Sequence, residues 1–242
     1  MDVRRPEVSG GEQEGTASDA PRGSADWWDG RYLRGEIPWD TGIVPPEVVA
    51  WVTSGRIAEG WALDLGCGSG VSSHYLARHG FCVLGIDLAL NALARARRVA
   101  AHEGLAANFC AGDVADLTFA RVTASMALDV GCFHTLAPVR RPSYIASLAS
   151  HLTSGGYYLL YAFESDVERD DAPGIGPREI AAFAPLFGLS WARHGLDQGR
   201  PSAWYLLRRS SLPAPGLTRH PASQLDVNRR PAYLPMRRAP LK

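Results

Sequence analysis

Two rhythms of apolar and polar positions alternate along this chain. Short continuous apolar runs closed by glycine, such as WALDLG at 61–66, fit strands buried on both faces. Longer stretches with apolar residues three or four positions apart fit helices with one buried face. FCVLGID, ANFCAGD, ASMALDVG and YYLLYAF are four further strands by the same pattern. Between them, GVSSHYLARHG predicts a helix with Val71, Tyr75 and Leu76 on one face and a stop at Gly80. LALNALARARRVAAHEG predicts an alanine- and arginine-rich helix ended by Gly104. RPSYIASLASHLTSGG predicts another, with Pro142 at its start and glycines at its end. GPREIAAFAPL predicts a short helix, and LSWARHGLD with SAWYLLRRS a closing antiparallel pair. Strand–helix alternation implies an α/β fold with a doubly wound, mostly parallel sheet covered on both faces.

The pattern stops at both ends. Residues 1–24 are polar and glycine-rich, too poor in apolar surface to offset the entropy of ordering, so a disordered tail is expected there. Order is expected to begin at ADWWDGRYL. Residues 211–242 hold six prolines and five arginines, with Asp226 as the only acid. Prolines at that density forbid a regular element and predict a tail or a strap on the surface. A solvated extension and a contact to an acidic partner both remain open for it. One domain, residues 25–210, lies between. There is no internal repeat.

Composition narrows the classes. Of 242 residues, 46% are apolar, enough for one α/β domain with a large core. Basic and acidic residues number 25 each, so no net field draws the chain to nucleic acid or an anionic membrane. No apolar run has the length of a membrane span, and the N-terminus lacks a signal-peptide core. Cys67, Cys82, Cys110 and Cys132 form no CxxC pair, which predicts reduced thiols in a cytoplasmic protein without a disulfide framework or a metal site. Oligomeric state is not written in the pattern.

The stretch ALDLGCGSG, residues 62–70, carries the chemistry. In open α/β sheets ligands bind at the carboxyl ends of the strands. A glycine-rich turn after the first strand lets a ligand press on the backbone there; the alternative is a tight turn with no ligand. A dinucleotide loop is spaced GxGxxG, whereas Gly66, Gly68 and Gly70 are spaced GxGxG, with Val71 where a third glycine would stand. Asp64, two residues before the first glycine, would repel a pyrophosphate and attract an ammonium, directly or through water. S-adenosylmethionine has such an ammonium and no phosphate. Asp87, ending the second strand, can accept both ribose hydroxyls. Asp113, after the third, can accept from the adenine amino group with Val114 packed on the ring. Each acid alone also fits a strand-end cap. The ordered set of three favours the ligand.

LDLGCGSG, GIDLA, AGDVADL and LDVGCFHTL together resemble the class I S-adenosylmethionine-dependent methyltransferases over about residues 61–136. That resemblance implies a Rossmann-like sheet of seven strands with the last antiparallel, in line with the closing pair. Upstream, DWWDGRYLRGEIPWDTGIVPPEVVAWV is similar to the entry segment of the thiopurine methyltransferase and thiol/halide methyltransferase group. It implies that Trp28 and Trp39 cover the cofactor, Gly66 meets its methionine part, Asp87 its ribose, and Asp113 with Val114 its adenine. Asp129, ending strand four, would line the methyl-donor side. Tyr32 stands where some members of that group carry another tryptophan, and the arginine-rich tail is outside the pattern. The tryptophans also have a reading of their own: aromatic faces suit a sulfonium cation, or they anchor the segment to the core.

Methyl transfer chiefly needs alignment and exclusion of water. A base is required only for an acceptor that keeps its proton. Asp129 and His134 are the candidates beside the donor, His134 as base or as orienting donor, or as a loop cap. Arg141 could hold an acceptor's anionic group, or be a charged residue at a helix start. Cys132 fits a small buried residue better than a nucleophile. The expected activity is methyl transfer to a small-molecule acceptor with a sulfur, nitrogen or oxygen nucleophile, or a halide. An NAD-dependent oxidoreductase and a non-catalytic binding module are the alternatives.

Overall fold

The computed structural model of the chain describes residues 20–165 and 173–211. The expected tails, 1–24 and 211–242, therefore lie largely outside the described residues. Helices α1 (Ala25–Arg34) and α2 (Pro46–Thr53) lead into β1 (Trp61–Leu65), α3 (Val71–Arg78), β2 (Cys82–Asp87), α4 (Leu90–Glu103), β3 (Ala107–Ala111) and β4 (Ala124–Val130). Then follow α5 (Arg141–His151), β5 (Leu152–Phe163), α6 (Pro177–Ala181), β6 (Phe187–Asp197) and β7 (Arg200–Arg209).

The seven strands form one sheet in the order β3-β2-β1-β4-β5-β7-β6. The first five are parallel, and β7 runs antiparallel to both β5 and β6. The order reverses between β1 and β4, which opens a crevice at their carboxyl ends. Along β1 successive side chains enter opposite cores. Leu63 and Leu65 join the cluster under α5, whereas Ala62 joins the one under α2 and α3. Asp64 is thereby turned toward α3, which explains its partner there.

Two expectations need correction. The α5 helix ends at His151, and the glycines expected at its end lie inside β5. The pairing jumps from Ala124↔Leu152 to Met126↔Tyr157, so Gly155 and Gly156 form a bulge. Gly155 has φ +75°, and a side chain on Gly156 would meet the Ser125 carbonyl at 3.1 Å. On α3 the fully buried positions are Ser72, Ser73, His74 and Leu76; Val71 and Tyr75 are half-buried. Ser73 and His74 can face inward there because Asp64 accepts from the Ser73 hydroxyl and the Ala96 carbonyl pairs with the His74 ring. Nothing in the apolar pattern of 25–34 or 46–53 marked α1 and α2.

Candidate functional site

The loop from Gly66 to Gly70 leaves β1 with φ of +72°, +53° and +82° at its three glycines, a region that other residues enter only with strain. The space a side chain would fill is occupied by the protein itself. A Cβ on Gly66 would lie 2.5 Å from that of Cys132, one on Gly68 would strike the Tyr32 hydroxyl, and one on Gly70 would meet Ala96 and His74 at 2.9 Å. The backbone donors are also engaged. Gly66 and Cys67 donate to the Ile86 carbonyl, Gly68 to Asp87 Oδ2 at 2.8 Å, and Gly70 to the Cys67 carbonyl. Four N–H groups that a pyrophosphate would need are thus turned inward.

What faces the ligand instead is acid. Asp64 is 2% exposed; its Oδ2 accepts from Ser73 Oγ at 2.6 Å, and it lines the cleft. Burial, with Asp87 nearby, pushes it up to about 6. An ammonium beside it would offset both causes. Asp87 is likewise raised by burial and accepts one N–H on each oxygen, from Gly68 and Ala89. A carboxylate has about four acceptor positions, so Asp87 keeps acceptor capacity for a ribose hydroxyl. An ammonium and a diol fit this set. S-adenosylmethionine carries both.

Asp113 and Val114 line the same cleft. Asp113 is less free than expected: Oδ1 accepts from the Ala115 N–H, and Oδ2 is ion-paired with Arg140. The aromatic lead segment also lines the cleft, through Trp27, Trp28, Tyr32 and Trp39. Trp28 sits edge-on to Trp27 and Trp39, with centroids 4.6 and 5.5 Å apart. Arg31 lies 5.1 Å from the Trp27 ring and 4.9 Å from the Trp39 ring. One cation of the protein's own thus already occupies an aromatic face that was expected to cover the cofactor. Tyr32 is buried over Gly68 and accepts from Trp39 Nε1 at 3.4 Å. The sequence showed Tyr32 only as a departure from a pattern. Its contact with the loop depends on how α1 docks, which no spacing records.

The residues after β4 depart furthest from expectation. Asp129 is wholly buried and does not line the cleft. It accepts from Tyr144 Oη at 2.6 Å and from the N–H groups of Cys132 and Phe133 at 2.8 and 3.0 Å. Its position is that of an anchor for the loop 131–135, not of a group lining the methyl-donor side. Arg141 is 9% exposed and donates to the carbonyls of Leu136, His134 and Gly174, with Glu179 at 3.4 Å. Those contacts fasten the loop and leave little for an acceptor's anion. His134 lines the cleft, 6% exposed, and its Nδ1 has no partner among the described residues. Burial first, then Arg200 and Arg141, hold it down to about 3, so the ring is neutral at ordinary pH. The titration near neutrality expected of a general base is therefore not its property.

His134 packs on Phe163, which continues into Tyr161 and Trp204 with ring centroids 5.9 and 5.1 Å apart, all on the cleft, and Arg200 lies above Phe163. The sequence did not single out Tyr161, Phe163, Trp204 or Arg200. They come from β5 and the β6–β7 hairpin, and only strand pairing brings them to the end of β4. Cleft and loop together enclose about 1790 Å³.

A family described as "methyltransferase domain" matches residues 62–156. A 2-heptyl-1-hydroxyquinolin-4(1H)-one methyltransferase of Mycobacteroides abscessus is 28% identical over 169 residues, 69% of this chain and 74% of its own. An uncharacterised methyltransferase of Schizosaccharomyces pombe is 31% identical over 112 residues, 46% of this chain and 77% of its own. A thiopurine S-methyltransferase of Legionella pneumophila is 26% identical over 172 residues, 64% of this chain and 78% of its own. Among solved structures, the 1,6-didemethyltoxoflavin-N1-methyltransferase of Burkholderia thailandensis shares the fold with a TM-score of 0.63 and 22% identity, over 80% of this chain and 93% of that one.

Proposed function

This chain belongs to the class I S-adenosylmethionine-dependent methyltransferases, and from that premise we propose that its acceptor is a small, flat aromatic molecule held at the end of β4. It is an enzyme that transfers a methyl group, which sets aside both the oxidoreductase and the non-catalytic module. The observation that carries the acceptor class is the aromatic wall of Tyr161, Phe163 and Trp204, on the same cleft as His134 and the glycine loop. A flat ring is the shape that aromatic faces so arranged accommodate. The hydroxyquinolinone for which the Mycobacteroides abscessus relative is named has that shape. Within the class, the aromatic lead segment and the Legionella pneumophila relative support a place near the thiopurine and thiol/halide group.

When bound, S-adenosylmethionine supplies a methyl group on a cationic sulfur. In our reading Asp64 holds the cofactor's ammonium, and Asp87 accepts its ribose hydroxyls with the lone pairs left by Gly68 and Ala89. Val114 packs on adenine, with Asp113 and Arg140 beside it. Gly66, Gly68 and Gly70 keep the loop flat against Cys132, Tyr32 and His74. Trp28 and Trp39, packed edge to face with Arg31 against Trp39, exclude water from the methyl group. Asp129 fixes the loop that carries His134, and Arg141 fixes its far end.

A screen with radiolabelled S-adenosylmethionine tests this. The full chain is offered phenols, thiols, N-hydroxy heterocycles, amines and halides, with bulk protein and RNA alongside. Label is expected in flat aromatic products. Label in protein or RNA alone would overturn the small-molecule reading.

A further inference from the structure

His134 and Arg200 both pack on Phe163. His134 stands edge-on to that ring, 5.3 Å between centroids and 73° between planes. Arg200, the first residue of β7, lays its guanidinium 3.9 Å from the same centroid. Arg200 Nη2 donates to the Pro173 carbonyl at 3.0 Å, and among the described residues no carboxylate is ion-paired with it. Since a guanidinium has five donors, several remain. Arg141, the other cation beside His134, is occupied by three carbonyls and Glu179.

Among the described residues, no group at this end of the cleft is placed to take a proton. A base whose conjugate acid titrates near pH 3 is between about 10⁵ and 10⁷ times too weak to deprotonate a thiol or a phenol at equilibrium. Asp129 lies behind the loop, bound to Tyr144. Asp197 accepts from the Tyr161 hydroxyl at 2.5 Å, and Glu164 from Tyr205 and His194. Yet the described residues of the site include a cation with open donors, Arg200. Positive charge and unused donors describe a place for an anion.

We propose that Arg200 selects the acceptor in its anionic form: a flat aromatic compound whose hydroxyl, N-hydroxyl or thiol has lost its proton to water, bound with the charged atom at the Arg200 guanidinium. The proposal rests on the methyltransferase reading above and narrows its acceptor. In the transfer, a lone pair of the anion forms the new bond to the methyl carbon. The carbon–sulfur bond breaks with its electron pair remaining on sulfur. One negative and one positive charge cancel, and no proton moves on the enzyme. Arg200 is thus the specificity residue, and His134 packs with it on Phe163.

The probes are 4-nitrophenol, 4-nitrothiophenol, aniline and benzyl alcohol, with the full chain as wild type, Arg200→Met and Arg200→Lys. In the wild-type complex with S-adenosylhomocysteine, the yellow phenolate band of bound 4-nitrophenol is expected to persist to lower pH than in free solution. Arg200→Met should abolish that displacement, and Arg200→Lys should keep part of it. The kcat/KM for methylation should follow the ionised fraction of each acceptor, inflecting at the acceptor's own pKa. Arg200→Met should lower it by about 10- to 100-fold for the two acidic probes, the usual worth of a charge-assisted hydrogen bond. Affinity for S-adenosylhomocysteine should stay within about twofold in all three proteins, since Arg200 has no part in that site. An inflection at one pH for every acceptor, equal turnover of aniline or benzyl alcohol, or an unaffected Arg200→Met would each overturn the proposal. So would failure of both acidic probes to bind while S-adenosylhomocysteine binds. If S-adenosylhomocysteine itself failed to bind the wild type, the cofactor reading would fall instead.

Discussion

Asp64 is held against its own preference. Burial makes its charge costly, and it rises to about 6. A folded-state value above the unfolded one means that the associated stability is present below about pH 4 and is lost as pH rises through 6. Asp64→Asn removes the buried charge and keeps an oxygen for Ser73. The cofactor-free variant is therefore expected to be more stable at pH 8, by up to about 3 kcal/mol, with a higher Tm. The same substitution should cost at least about tenfold in affinity for S-adenosylhomocysteine, as one charge-assisted contact is lost. Melting curves and calorimetry on one preparation read both. An unchanged affinity would show that Asp64 does not meet the ligand. Asp87 is raised by burial too, against backbone donors that favour its charged form. Asp87→Ala should weaken the cofactor by about 2–4 kcal/mol, counting two lost hydrogen bonds to hydroxyls and a loosened Gly68.

At the scale of elements, α1 is held to α4 by more than apolar contact. Helix α4 has Ala89 at its N-cap and no side-chain cap of its own. Asp29, from α1, accepts from the Asn91 N–H at 2.6 Å and from its side-chain amide at 2.7 Å. Arg95 donates to the Tyr32 carbonyl at 2.6 Å. This cap supplied from another helix fixes Tyr32 over Gly68. Asp29→Ala should cost about 1 kcal/mol, the typical worth of a cap. It should also raise hydrogen exchange in α1 and weaken S-adenosylhomocysteine binding, while α3 and β1 keep their protection. Uniform exchange would mean that α1 is not a separable clasp. Truncation divides the lead segment in the same way. Ser24 caps α1 by accepting from the Trp27 N–H, and Arg22, Gly23 and Ser24 line the cleft. Removing residues 1–19 should leave cofactor affinity unchanged, and removing residues through Trp39 should abolish it. Equal affinities would disprove the covering role of the segment.

For the whole molecule, buried acids and buried histidines set opposing pH dependences. Asp129 rises to about 7 by burial, despite its three donors, and Asp64 to about 6. His134 is lowered to about 3, so its contribution is lost as pH falls below about 6.5 and offsets one of the acids there. Between pH 6 and 7.5 the ionisation of Asp129, with the tail of Asp64, outweighs the gain from His134, whose unfolded ring loses its proton near 6.5. Stability of the cofactor-free protein should therefore fall by about 1 kcal/mol between pH 6 and 7.5. Asp129→Asn should flatten that fall. Thermal melts at pH 6, 7 and 8 check it, and a wild-type curve flat across this range would show that the Tyr144 network keeps Asp129 ionised.

The sequence by itself determined the strands and their order of chemistry. Continuous apolar runs such as WALDLG leave no other economical burial, and each of Asp64, Asp87 and Asp113 follows from its place at or near a strand end. The GxGxG spacing excluded a dinucleotide loop for a reason the structure deepens, since four loop N–H groups point inward. Local pattern was silent wherever an element takes its partner from far along the chain. Tyr32 meets Gly68, Asp29 caps α4, and Arg200 reaches Phe163 beside His134 only after α1 docks and the β6–β7 hairpin pairs with β5. Glycines 155 and 156 look like a helix stop in one dimension and become a bulge once β4 imposes its register. Ionisation belongs to the same class: Asp129 and His134 are ordinary residues in the sequence, and their shifts come from burial and neighbouring charge, which exist only in the folded chain.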